Sequence, residues 1–319
     1  MATTTATFRG DIQTMLMEGG DAESLLIGDK ILPIYNVPEK TGEFPKFELA
    51  KGKRLDSVST KRNADGTANR IRREYTNDTY ACTEHALEEL VPDDYKAEVD
   101  RFFDAEVTAA RMTRHNVFLG HEERVADAVL NASTFNATAA SVNYTETLIA
   151  TINFAKDLQA AIQRLEDKAV MPNAIVMSST LRNQIARSTL FQNFVKPFQA
   201  DVSVITNDTF ERIMRDAFGL NLYVGRASKQ ASLVRGTYTA EKIWSNDYIF
   251  VGKISEGDPM LGGVGRTFNW NSYIPAPFAV ESYRDERRKS DVIRVSASLD
   301  EEIIDSTAGE LITTNYSAS

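Results

Sequence analysis

The chain is poor in the residues that carry most chemistry. It has one cysteine, Cys82, and three histidines, His85, His115 and His121, in 319 residues. A single cysteine excludes an intrachain disulfide, which fits a reducing cytoplasm. Uninterrupted apolar runs are only a few residues long, such as Ala174–Met177, so no helical segment is suited to span a bilayer. The stretch Met1–Gly10 has no apolar core of the signal-peptide kind. The Asn-x-Ser/Thr triplets at Asn77, Asn143 and Asn207 are therefore read as chance. Positive charge is also in deficit: 36 Lys and Arg against 45 Asp and Glu give a net −9. That balance argues against wrapping nucleic acid by bulk charge.

Motifs that would signal catalysis are missing. No Gly-x-Ser-x-Gly elbow is present. Gly262-Gly263-Val264-Gly265-Arg266 lacks the Gly-Lys-Ser/Thr ending of a phosphate loop and precedes a strand pattern, so it reads as a turn. His121-Glu122-Glu123 lacks the second histidine of a zinc-protease motif, and His115 lies six residues from His121, on a different helical face. Cys82 and His85 could meet across one helical turn, but two ligands make no zinc site. The reading is of no catalytic residue, no cofactor and no metal.

What is present is ordinary globular material, 42% hydrophobic and 25% charged, enough for a sizeable core. Residues 1–35 show little periodicity and read as an extended arm, with one short helix around Ile12–Met17. Residues 36–80 are punctuated by Pro38, Gly42, Pro45, Gly52 and Gly66. Phe44, Phe47 and Leu49 on one limb and Ile71–Tyr75 on the other suggest a long two-stranded projection. A lone hairpin is marginal in water, so it should lie against something else.

This projection is basic. Between Lys46 and Arg73 the positives are Lys46, Lys51, Lys53, Arg54, Lys61, Arg62, Arg70, Arg72 and Arg73, against three acids, a net +6. No aromatic occurs between Leu49 and Arg73, so stacking on bases is unsupported. The next segment reverses sign: Glu84–Asp127 holds twelve acids and five Lys or Arg, a net −7. Within it Pro92, Asp93 and Asp94 start a helix pattern carried by Tyr95, Val99, Phe102, Val107, Ala110, Val117, His121, Val125 and Ala128. If continuous to Leu130, it is roughly 50 Å long. The opposite charges predict that the basic hairpin of one subunit lies over acids of a neighbour's helix, with Asp94, Glu98, Asp104, Glu122 and Glu123 as the acceptors.

Further on, the pattern predicts a helix over Thr145–Lys168, a buried strand at Ala174–Met177 and a helix from Ser179 through Ile185. Another helix is capped by Asn207 or Asp208 and stopped by Gly219. Strands are expected at Leu220–Val224, Tyr248–Lys253, Gly265–Trp270, Phe278–Tyr283, Asp291–Leu299 and Glu310–Thr314. Helices and strands do not alternate regularly, so the class is α+β.

The order of these parts resembles the major capsid proteins of tailed bacteriophages with the Hong Kong-97-type fold. Pro172-Asn173-Ala174-Ile175-Val176-Met177-Ser178 followed by a helix is similar to the opening of that family's axial domain (the A-domain). Ser282-Tyr283-Arg284-Asp285-Glu286-Arg287 running into Asp291-Val292-Ile293-Arg294-Val295 resembles the return into its peripheral domain (the P-domain). The resemblance implies an N-terminal arm over 1–35 and an E-loop hairpin over 36–80. It implies a P-domain with a long spine helix over 81–143 and 289–319, and an A-domain over 144–288.

It also implies a structural, non-enzymatic virion protein, self-assembling in the host cytoplasm into hexamers and pentamers of an icosahedral head around double-stranded DNA. The implied partners are further copies, a portal, decoration proteins and, with only about 35 residues before the hairpin, a separate scaffolding protein where one is needed. No membrane is implied. Two alternatives stay open: an encapsulin-like compartment that loads an enzyme cargo, and a soluble enzyme with an unrecognised site.

Overall fold

The computed structural model describes residues 7–9, 12, 25–46, 61, 66, 76–99, 103–196, 205–230, 239–257, 262–272, 274 and 277–316. In chain order these form β1 (Thr7–Phe8), α1 (Gly28–Ile31), β2 (Ile34–Val37), β3 (Thr41–Lys46), β4 (Thr76–Ala81) and β5 (Thr83–Pro92). Then come α2 (Asp93–Val99), α3 (Ala105–Val129), β6 (Asn136–Ala139), a 3-10 turn at Glu146–Thr151, α4 (Phe154–Asp167) and β7 (Ala174–Ser178). They are followed by α5 (Ser179–Arg187), α6 (Thr189–Val195), α7 (Asn207–Phe218), β8 (Asn221–Gly225), β9 (Ser228–Gln230) and β10 (Ala240–Lys242). The chain closes with β11 (Tyr248–Gly252), β12 (Gly265–Trp270), β13 (Ala279–Asp285), β14 (Ser290–Ile303) and β15 (Gly309–Thr313). The class is α+β, as expected.

Two larger sheets organise these elements. The first is built around β14, whose alternating Val295, Ala297 and Leu299 are buried. Strands β13, β5 and β12 pair antiparallel with β14; β2 joins β12 in parallel, and β1 joins β13. Helix α3 lies on this sheet, packing Ala109, Ala110, Val117 and Phe118 against Val280, Ile293 and Val295. The second sheet runs β6-β15-β11-β7-β8. Its β7 is buried at every residue, and α4, α5 and α7 pack over it through Leu158, Leu181, Ile185, Phe210 and Met214.

The hairpin exists at its root. Strands β3 and β4 pair from Thr41↔Ala81 to Lys46↔Thr76, so its described limbs are offset from the predicted ones. The root is seated on the first sheet by Tyr80, whose ring stacks on Phe268 at 4.7 Å, and by Phe44, 5.1 Å from the same ring. Gly42 permits this, since a Cβ there would stand 2.6 Å from the Tyr80 hydroxyl.

Several expectations are corrected. The N-terminal stretch is not simply an extended arm: Thr7–Phe8 is paired, and Ile31 and Leu32 are buried after the short α1. The helix expected around Ile12–Met17 lies outside the described residues apart from the buried Ile12. The single helix expected over Tyr95–Leu130 is two. Asp104 accepts from the Val107 N–H at 3.1 Å and starts a new 25-residue helix, about 37 Å long. The helix expected over Thr145–Lys168 is likewise divided, because Asn153 caps α4. Thr206, not Asn207 or Asp208, caps α7, while Gly219 ends it in the left-handed conformation as expected.

Strands β12 and β13 belong to the first sheet although they fall within 144–288, and β15 belongs to the second although it falls within 289–319.

Candidate subunit-interface surface

The first acids predicted to join subunits, Asp94 and Glu98, follow directly after β5. Its outer edge carries no strand among the described residues, because β5 pairs only with β14. The Asp93 N–H donates to Lys289 O at 3.1 Å. By the alternation of an antiparallel ladder, the backbone groups of Glu84, Ala86, Glu88 and Leu90 then point outward. Leu87 is 46% and Leu90 41% exposed. A ten-residue open edge with exposed leucines is a template for pairing unless something covers it.

Acids crowd the end of this edge. Asp94 and Glu98 are exposed on α2, and the exposed Asp104 caps α3. These three make no ion pair among the described residues, whereas their neighbours do. Asp93 holds Arg284 at 2.6 Å, which depresses its carboxyl pKa, and Glu106 holds both Arg9 and Lys96. On the hairpin, Lys46 reaches Asp78 at 3.2 Å, and Lys61 is exposed. Lys51, Lys53, Arg54, Arg62, Arg70, Arg72 and Arg73 lie outside the described residues.

The other two predicted acceptors sit elsewhere on α3. Glu123 is paired within the chain to Lys229 at 2.6 Å. Glu122 is a correction. It is 1% exposed and faces inward, because it shares the helical face of Phe118 and Val125. Its carboxylate accepts from the Ile27 N–H at 3.1 Å, the Gly28 N–H at 2.6 Å and the Trp244 indole N–H at 2.6 Å. It therefore ties the chain before α1 to the long helix and to the second sheet's neighbourhood, and is not available to another subunit.

His121 forms a second buried anchor beside it. Its Nδ1 lies 2.7 Å from Glu301 and its Nε2 2.9 Å from Asp29. An ionised carboxylate only accepts, so both ring nitrogens donate and the imidazole is cationic. Burial opposes that charge, but the hydrogen bonds to the two carboxylates outweigh it and raise the His121 pKa to about 9. Glu301 is correspondingly held down at about 2: burial pushes it up, and His121 with the two-pronged Arg124 overcomes this. The sequence marked His121 as part of a helical stripe and of an incomplete zinc motif; its two acidic partners are 92 and 180 residues away.

Cys82 and His85 lie in extended chain, not on a helix. The Cys82 sulfur sits 3.7 Å from Phe268 O, and burial pushes its thiol up to about 11. Among the described residues no group of three or more His, Cys, Asp or Glu is placed to hold a metal. Gly262 and Gly263 take positive φ and lead through a bend at Val264 into β12, which already includes Gly265 and Arg266 of the expected turn.

No protein-family model matches the chain, and no curated protein matches it. Solved structures do. A phage-related protein of Bordetella bronchiseptica superposes with a TM-score of 0.71 at 20% identity, covering 98% of both chains. The virus-like particle of Pyrococcus furiosus gives 0.56 at 12%, covering 96% of this chain and 98% of the other. The capsid of cyanophage P-SCSP1u gives 0.55 at 10%, covering 90% and 86%. The chain thus has a phage-capsid fold along nearly its whole length.

Proposed function

We propose that the chain is a shell subunit, a major capsid protein whose copies form hexamers and pentamers that close into an icosahedral phage head around double-stranded DNA. The observation that carries this reading is the likeness of fold over 98% of the chain to a phage-related protein. The first sheet with α3 takes the place of the peripheral domain, the second sheet with its helices that of the axial domain, and the β3–β4 hairpin that of the E-loop. A hairpin whose middle, Ser57–Asn69, has no large hydrophobic residue except Val58, and an open acidic sheet edge, both call for a neighbour to cover them. In this reading the basic hairpin of one copy crosses Asp94, Glu98 and Asp104 of the next, with a portal and scaffolding or decoration proteins as further partners. The role requires no catalysis.

Negative-stain electron microscopy with sedimentation tests it. Closed shells or rings of five and six are expected. A compact monomer or dimer at high concentration, with any scaffolding partner supplied, would sink the reading. A second reading is a closed particle that encloses protein instead of phage DNA, since the likeness of fold extends to a virus-like particle of Pyrococcus furiosus. Particles whose ultraviolet absorbance shows protein cargo instead of nucleic acid would select it.

A further inference from the structure

A cavity of about 310 Å³ opens between α1 and the second sheet, and its lining is cationic in an acidic chain. Lys30 enters from α1, Arg182 from the first turn of α5, and Arg226 from just beyond β8. Strands β7 and β8 are parallel, with Ser178 opposite Gly225, so α5 and Arg226 both leave from the C-terminal ends of these strands. Such ends are where open α/β sheets tend to bind ligands. Leu222 and Val224 supply an apolar floor.

None of the three cations has an ion-pair partner among the described residues. The carboxylate in the lining, Glu211, is held by Arg215 at 2.8 Å on the exposed side of α7. The Nε of Arg182 is buried and finds no acceptor among the described residues, while its Nη2 donates to the Asn183 side chain. Burial, and then the charge of Arg226, lower the pKa of Arg182, so the two guanidinium groups are close enough to repel. Like charges gathered over an apolar floor, the exposed Lys30 and Arg226 beside the half-buried Arg182 with its unpartnered Nε, form an incomplete constellation. Two guanidinium forks from different elements suit a tetrahedral oxyanion, and three positive charges are balanced better by a phosphate dianion than by a single carboxylate.

We propose that this cavity is a phosphate-binding site, bound by Arg182, Arg226 and Lys30, for either free phosphate or a phosphate monoester whose organic part rests on Leu222 and Val224. The site is independent of the shell reading and would stand if that reading failed.

Isothermal titration calorimetry of the purified chain in its native assembly, at constant ionic strength, tests the proposal with inorganic phosphate and adenosine monophosphate as probes. Saturable binding is expected. Arg182→Gln and Arg226→Gln should each weaken it by at least about tenfold. Arg187→Gln, an exposed residue paired with Glu146, should leave it unchanged. Tighter binding of the monophosphate assigns the ester as ligand; equal binding assigns the free anion. No saturable heat with either probe, or an equal loss in Arg187→Gln, overturns the site. Melting temperature gives a second reading. Without phosphate, Arg226→Gln should raise it by relieving repulsion, and phosphate should stabilise the parent but not the variant. A fall for Arg226→Gln in phosphate-free buffer would show the guanidinium to be structural and also overturn the proposal.

Discussion

The indole N–H of Trp244 donates to the buried carboxylate of Glu122 at 2.6 Å, across 122 residues of chain. The same carboxylate takes two backbone donors from Ile27 and Gly28, so one side chain joins α1, α3 and the segment before β11. Glu122→Gln replaces an acceptor oxygen by a donor and sets it against one of these N–H groups. A loss of about 1–3 kcal/mol is expected in denaturant unfolding. With Trp270 changed to Phe, the remaining tryptophan should shift its emission to longer wavelength. Gly28→Ala should act similarly, since a Cβ there would lie 2.8 Å from a Glu122 oxygen.

The neighbouring anchor predicts a pH profile. The His121 pKa rises from 6.5 to about 9 on folding, so its contribution is complete below pH 6.5 and fades as pH rises through 9. Glu301 falls from 4.5 to about 2, so its contribution is complete above pH 4.5 and fades as pH drops through 2. Both are complete between 4.5 and 6.5. Unfolding free energy should decline from pH 6.5 to 9 by on the order of 3 kcal/mol from His121 alone. His121→Leu should flatten that decline while lowering stability at pH 6. An unchanged slope in the variant would remove His121 as its source.

Glu302 pulls in the same direction for a different reason. Burial, then the charges of Asp300 and Asp78, raise it to about 7, with Lys46 opposing. The folded protein therefore holds an extra proton between pH 4.5 and 7, and stability falls as pH rises through that interval. Asp78 and Lys46 are at the hairpin root, so ionising Glu302 strains the contact between hairpin and sheet. Glu302→Gln should raise the melting temperature at pH 8 and leave it nearly unchanged at pH 4. Equal shifts at both values would point to packing and not charge.

How legible these features were depends on where the information lies. The strand at Gly265–Trp270 and the helix stopped by Gly219 carry their signals locally, in alternation and a left-handed cap, and both were readable. Strand β5 was not. Thr-Glu-His-Ala-Leu-Glu-Glu-Leu-Val-Pro has helical composition and helical leucine spacing, and its extended form comes from ten residue pairs with β14. Because much of both faces is exposed, no alternation marks it. The break at Asp104 was hidden among similar acids, although Asp is a good helix cap. Glu122 looked like half of an exposed acidic pair. Its spacing from Phe118 and Val125 placed it on the core stripe, and that signal could have found it.

The proposed charge pairing between copies makes the most direct prediction. Reversing Arg70, Arg72 and Arg73 to Glu should slow or abolish assembly at low salt, followed by light scattering. Exposed ion pairs are individually worth about 0–1 kcal/mol, so three reversals act by turning attraction into repulsion over a whole edge. The difference from the parent should shrink as ionic strength approaches 1 M, where the screening length is about 3 Å. Reversing Asp94, Glu98 and Asp104 to Lys should be equally harmful alone. Mixed with the first variant, it should restore interfaces wherever the two alternate, since the acidic hairpin then meets basic helix ends and the basic hairpin meets the native acids, though adjacent copies of the same variant stay mismatched. A single chain carrying both sets removes that limit, because every interface is then complementary again. Rescue in this chain would locate the pairing, since damage to folding would add up instead of cancelling. Normal assembly of the first variant at low salt, with unchanged melting temperature, would mean that the hairpin is held by something other than these charges.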